Sequence, residues 1–103
     1  MQDNILDVVI SPEAEADIDE VYDHIAFSAM APKTAVNYYM GIYDTIKKLS
    51  TVGDILPVSQ QPYLKRVYGV DVRTIRYKKM TIVYNIIGNV VYVRRVMASS
   101  LIL

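Results

Sequence analysis

The sequence predicts an α+β fold in which one strand, two helices and three further strands follow in the order β-α-α-β-β-β. In that fold a helical hairpin packs on one face of a largely antiparallel four-stranded sheet. Three observations predict it. Two successive segments repeat apolar residues at helical spacing, the last third is β-branched and aromatic with short turn signals, and a proline-containing segment separates the two regions.

Asn4 to Ile10 reads as a strand, with Leu6, Val8 and Ile10 on one face and Asp7 on the other. Ser11-Pro12-Glu13 opens a helix: Ser11 caps free amides, Pro12 suits the first helical position, and Glu13 complements the positive helix end. Ala14, Ile18, Val21, Tyr22 and Ile25 form one helical face, and the helix fades around Phe27 to Met30. Pro32 opens a second helix whose stripe is Ala35, Tyr39, Ile42, Ile46 and Leu49, flanked by Tyr38 and Tyr43. The short connection predicts an antiparallel pair. Gly53 to about Tyr68 is irregular, because Pro57 and Pro62 prevent a continuous helix, and its length for a connection leaves two readings for part of it, short strand or functional loop. Val70–Tyr77, Met80–Ile87 and Val90–Met97 are strands, joined at Lys78-Lys79 and Gly88-Asn89 into an antiparallel meander.

The 103 residues fit one domain, 1–103. With no cysteine, a disulfide scaffold, a thiol nucleophile and a zinc-thiolate site are excluded. A lone histidine, His24, argues against a His-rich metal site or a Ser-His-Asp triad. No apolar run reaches the roughly 18 residues of a membrane span, and Met1 to Asn4 lacks signal-peptide features, so a cytoplasmic protein is expected. No cofactor or metal is expected.

Charge is distributed unevenly. Residues 1 to 32 hold eight acids and no Lys or Arg, whereas residues 65 to 95 hold eight bases and one acid, Asp71. Two readings follow: an electrostatic partner for the basic half, or two halves that neutralise each other on folding.

The opening VVISPEAEADIDEVYDHIA, the second helix AVNYYMGIYDTIKKL, the strand-turn-strand VRTIRYKKMTIVYNI and the last strand VVYVRRVM together resemble toxins of the RelE/ParE superfamily, nearer the ParE side, over almost the whole chain. The resemblance implies a toxin of a bacterial type II toxin–antitoxin pair, a growth inhibitor of the plasmid-stabilising kind, neutralised by a cognate antitoxin whose flexible tail wraps it. ParE-like members poison DNA gyrase; RelE-like members cut messenger RNA on the ribosome. Two places depart from the nuclease pattern. Thr81 stands where RelE-like nucleases carry an arginine, and Ala98 to Leu103 replaces a terminal Gly-Arg-Asp type segment. Enzymatic activity is therefore left open. The leading expectation is a toxin that binds its target, with a RelE-like endoribonuclease and a silent antitoxin-binding module as alternatives.

If the protein is a nuclease, Arg73, Arg76, Lys78 and Lys79 are the candidate catalytic residues, since cations stabilise a phosphorane. Proton transfer needs a group titrating near neutrality, and His24 lies in the acidic first helix, away from these bases. Candidates for target or antitoxin contact are Arg73, Arg76, Tyr84, Tyr92 and Arg94. Arg95 is expected at the core margin, paired with Asp17 or Asp7. If Val91, Val93 and Met97 face the helices, the last two strands stay apolar on both sides. An exposed second face and an apolar Leu101-Ile102-Leu103 end then invite an antitoxin segment or, without it, a homodimer.

Overall fold

A computed structural model describes residues 5–102. Strand β1 (Asp7–Ile10) is shorter than the segment expected from Asn4; that residue and Leu103 lie outside the described residues. Leu6, Val8 and Ile10 face the core, as the alternation predicts, and the Leu6 amide donates to the Ser50 carbonyl at 2.8 Å.

Ser11 turns the chain from β1 into helix α1 (Pro12–Asp23). Its hydroxyl accepts from the Ala14 amide at 3.0 Å and donates to the Arg94 carbonyl at 3.0 Å, so one side chain caps the helix and ties it to the sheet. The helix loosens into a single π turn at His24–Ser28, and Met30 (φ 53°) reverses the chain before helix α2 (Pro32–Val52). Ala35, Ile42, Ile46 and Leu49 of α2 are buried; Tyr39, expected in the same stripe, is 37% exposed.

The sheet order is β1-β4-β3-β2, with β2 at Arg73–Tyr77, β3 at Met80–Ile87 and β4 at Val90–Ala98. The β2–β3–β4 meander is antiparallel, and β1 joins β4 in parallel. Ile82, Tyr84, Val91, Val93 and Val96 meet Ala14, Ile18, Ile42, Ile46 and Leu49 in the main core. No helix among the described residues is long and apolar enough to cross a membrane.

Two features depart from the expected layout. The first is a bulge in β4. Val83 pairs with Arg95 but Tyr84 pairs with Val93, so Arg94 is an extra residue. The bulge shifts the alternation, and Val96 rather than Met97 joins Val91 and Val93 in facing the helices.

The second is a third helix, α3 (Pro62–Tyr68), within the segment expected to be irregular. Pro62 stands at its first turn, where proline is tolerated, the Gln61 side chain accepts from the Leu64 amide, and Gly69 (φ 106°) ends it. Leu64 and Tyr68 pack with Val72, Val83, Met97 and Ile102 on the face of the sheet opposite the hairpin. A 3-10 turn at Ser99–Ile102 closes over the same cluster. The sheet is thus covered on part of both faces. Ile102, expected in an exposed apolar end, is buried, while Leu101 is exposed.

Candidate functional site

An exposed apolar surface of the helical layer is built by α2 residues that lie off its core stripe. Val36 and Met40 sit one turn apart and are 44% and 57% exposed. Between α1 and α2 an aromatic ladder forms the floor. Tyr22 meets Tyr39 edge-on with ring centroids 5.9 Å apart, and Tyr39 meets Tyr43 at 4.9 Å. Two shallow depressions share Tyr39: one of about 440 Å³ with Asp19, Tyr22, Asp23 and Val36, and one of about 290 Å³ with Met40, Tyr43, Asp44 and Lys47. The rim is acidic. Burial, then the adjacent Tyr39, then the charges of Glu15 and Asp19 push the Tyr43 phenol up to about 12. An apolar trough with a negative rim suits the apolar face of a helix carrying basic flanks.

The residues singled out from the sequence do not form one site. Arg73 is half-buried and its guanidinium donates to the carbonyls of Asp54 and Leu56, which fixes the loop after α2. Tyr84 is fully buried and donates to the Gly53 carbonyl at 2.7 Å, so in this fold it is a core residue and offers no contact surface. Arg94 is exposed, donates to the Asn85 side chain at 2.9 Å and lies 5.5 Å over the Tyr68 ring. Tyr92, 36% exposed, shares the outer face with Val9 and Ile87, which are 47% and 64% exposed. This is what remains of the expected apolar second face once α3 is in place.

Lys78 occupies the β2–β3 turn (φ 52°), with its ammonium 5.8 and 5.6 Å from the Tyr38 and Tyr77 rings. Arg76 and Lys79 are exposed and line a cavity of about 560 Å³ on the outer face of the sheet. Its walls are Ser59, Gln61 and Leu64 on one side, Thr74 and Thr81 from the sheet, and Ala98, Ser99, Ser100 and Ile102 on the other. Thr81 is buried there, its hydroxyl 2.7 Å from that of Ser99, so the position where nucleases carry an arginine holds a neutral hydroxyl pair. His24 is exposed in the π turn. Among the described residues no three of His, Asp or Glu converge as metal ligands.

Of the groove residues, Val36 and Met40 have no place in the sequence reading, and Tyr39 is expected there only as part of the buried stripe. The signal was available: Val36 and Met40 are apolar residues outside the stripe that α2 buries.

The fold has a solved counterpart. A chain of the chromosomal ParDE TA system from P. aeruginosa superposes with a TM-score of 0.75, covering 92% of this chain and 97% of that one at 21% sequence identity. This chain shares that ParE-like fold. The fold implied by the resemblance to RelE/ParE toxins is therefore present in the structure, and α3 is an element beyond that expectation. No protein-family model matches the sequence, and no curated protein does.

Proposed function

We propose that this chain is the toxin of a bacterial type II toxin–antitoxin pair, that it inhibits growth in the cytoplasm by binding DNA gyrase, and that a cognate antitoxin neutralises it. The observation that carries this reading is the α1–α2 groove, an exposed aromatic trough with an acidic rim on a ParE-like fold. Its occupant in this reading is an amphipathic antitoxin helix with basic residues beside its apolar face. The residual flank around Val9, Ile87 and Tyr92 is the candidate for target contact or, without antitoxin, for pairing of two copies.

A ribosome-dependent endoribonuclease is the second reading, resting on Arg76 and Lys79 in the basic cavity. Three placements weigh against it. Arg73 is held by backbone carbonyls, Thr81 is tied to Ser99, and among the described residues no His, Asp or Glu lines the cavity. A silent antitoxin-binding module is the third reading.

Induced expression of the chain alone is expected to arrest growth, co-expression with its antitoxin to relieve the arrest, and the purified chain to inhibit supercoiling by gyrase. Absence of arrest at every expression level overturns the toxin reading and leaves the silent module. Arrest with gyrase untouched and new codon-positioned message ends transfers the reading to the nuclease.

A further inference from the structure

Strand β1 is an edge of the sheet, and its outer side is bare. The Asp7 and Ser11 amides donate to the Asn89 and Val93 carbonyls of β4. Bonding residues alternate along a parallel ladder, so Asp7, Val9 and Ser11 turn their backbone groups toward β4, and Val8 and Ile10 turn theirs outward. Neither Val8 nor Ile10 has a backbone partner on that side among the described residues. The other edge, β2, is guarded, since Arg76 is exposed on it and Val58 bridges to Arg73. Val8, Val9 and Ile10 carry no charge, proline or bulge, the devices that keep free edges apart.

We propose that this edge pairs with the same edge of a second copy, antiparallel about a two-fold axis at Val9, joining two four-stranded sheets into one. The backbone selects the register. With the axis at Val9, Val8 of each copy lies opposite Ile10 of the other, and all their outward N–H and C=O groups are satisfied at once. Moving the axis to Val8 sets Leu6 opposite Ile10, and the Leu6 amide is already spent on Ser50. Moving it to Ile10 sets Val8 opposite Pro12, which has no amide. The side chains agree with the Val9 register. Val9 meets its own copy at the close, non-bonded position of the ladder, and Tyr92 lies beside each Val9 on β4, so an apolar strip crosses the axis on the outer face. On the opposite face Val8 meets Ile10. Charge sets the direction. Asp7 stands at one end of the outer face and Arg94 at the other, with Val9 and Tyr92 between them, and neither forms an ion pair among the described residues. Antiparallel docking brings the acidic end of one copy toward the basic end of the other, whereas parallel docking sets like beside like. The pairing needs neither antitoxin nor target and stands if the toxin reading fails.

Cross-linking, amide exchange and sedimentation test it. The chain has no cysteine, so Val9→Cys places a lone thiol on the axis. Residues opposed at a non-bonded position have Cα atoms about 4.5 Å apart, within disulfide reach. Under a mild oxidant Val9→Cys should form a disulfide-linked dimer. Asp7→Cys, whose copies stand about 14 Å apart across the axis, should link at least about tenfold more slowly. In the native chain, amide exchange at Val8 and Ile10 should slow about tenfold or more between about 10 µM and about 1 mM as the sedimenting mass doubles, with Val9 unchanged. Val9→Lys, at an exposed position, should remain a monomer with an unchanged circular dichroism spectrum. Ile87→Lys, on the outer face but away from the edge, should still pair. The proposal is overturned if the native chain is monomeric up to about 1 mM, if exchange at Val8 and Ile10 is independent of concentration, or if Asp7→Cys links as readily as Val9→Cys. A dimer lost in Ile87→Lys but kept in Val9→Lys overturns it in favour of face-to-face packing. Protection of Val8 and Ile10 that appears only with the antitoxin overturns it in favour of an antitoxin strand. None of these readouts involves growth arrest or gyrase, so failure here leaves the toxin reading intact.

Discussion

The carboxylate of Asp17 holds the guanidinium of Arg95 through two hydrogen bonds, Nε at 2.7 Å and Nη2 at 3.0 Å, across 78 positions of sequence. One of its oxygens also accepts the Val96 amide at 2.9 Å. Strand β1 stops pairing at Val93, so beyond that point β4 has a free edge, and Asp17 from α1 caps it. The pair joins the acidic first helix to the basic last strand, which accounts for part of the charge asymmetry internally.

Asp17→Ala should therefore cost about 1–3 kcal/mol, because it strands a charged donor and an edge amide together. Arg95 is 39% exposed and regains water, which keeps the cost below that of a fully buried pair. For a domain of this size each kcal/mol lowers the melting temperature by about 4–8 °C. Asp17→Asn, which retains one acceptor, should lose less. A double-mutant cycle with Arg95→Met should give a coupling of at least about 0.5 kcal/mol; additive losses would show that the contact is incidental.

The same neighbourhood shows how far the sequence could be read. The pairing of Arg95 with Asp17 or Asp7 was legible, because an arginine at a core margin needs an acid and only the first helix and β1 offer them nearby. Which side of β4 each residue faces was not. Alternation with a period of two holds only while pairing is regular, and one extra residue at Arg94 exchanges the roles of Val96 and Met97. Helix α3 was hidden for a related reason. Pro62 reads as a breaker from local propensity, yet at a first helical turn it is compatible with a helix, and seven residues are too few for apolar periodicity to declare itself. Missing α3 led to the expectation of a wholly open second face. The groove is not legible because Tyr39 falls at the spacing of the buried stripe, whereas it stands as the middle ring of the ladder, between Tyr22 and Tyr43.

Gly41 tests the packing between α2 and the sheet. A Cβ at this position would overlap the Tyr77 ring, which itself stands edge-on to Tyr38 at 5.2 Å. In an exposed helix interior Gly→Ala stabilises by about 1 kcal/mol. Here Gly41→Ala should instead destabilise by about 1–2 kcal/mol, since the ring must leave its place in the cluster. In a Tyr77→Ala background the same change should become stabilising. Denaturant melts of the four proteins check the reversal of sign, and a stabilising effect in the native background would disprove the close approach.

Tyr84 predicts an alkaline limb to the stability curve. Burial pushes its phenol up from 10.0 to about 12, partly offset by the nearby Arg73. The raised value means that the folded state favours the neutral phenol. That preference contributes in full below pH 10 and is lost as the pH rises through about 12. Tyr43 shifts in the same direction, so Tyr84→Phe should shrink the alkaline loss without abolishing it. The variant should also be less stable at neutral pH by about 1–3 kcal/mol, because the Gly53 carbonyl loses its donor. Chemical melts at neutral pH and at pH 11, with phenolate absorbance followed in parallel, check both parts. An alkaline limb identical to that of the native chain would refute the role of Tyr84.

The groove makes a prediction in which the sign of the charge matters. Met40 is 57% exposed and contacts the trough between Tyr39, Tyr43 and Asp44, so replacing it should change stability by no more than about 0.5 kcal/mol. If the proposed function holds, its effect on antitoxin binding should be large. Met40→Lys places a cation where a basic-flanked helix would dock and also removes apolar contact, and Met40→Glu removes the contact while adding to the acidic rim. Both should weaken binding, Met40→Lys by about a hundredfold or more and Met40→Glu by distinctly less, the difference shrinking as salt is raised. Val36→Lys, one turn earlier, should behave like Met40→Lys. Isothermal titration with the cognate antitoxin at two salt concentrations measures this. Native-like affinity of Met40→Lys and Val36→Lys would move the antitoxin off the helical layer, and a loss on Tyr92→Lys or Ile87→Lys in the same assay would place it on the outer flank of the sheet.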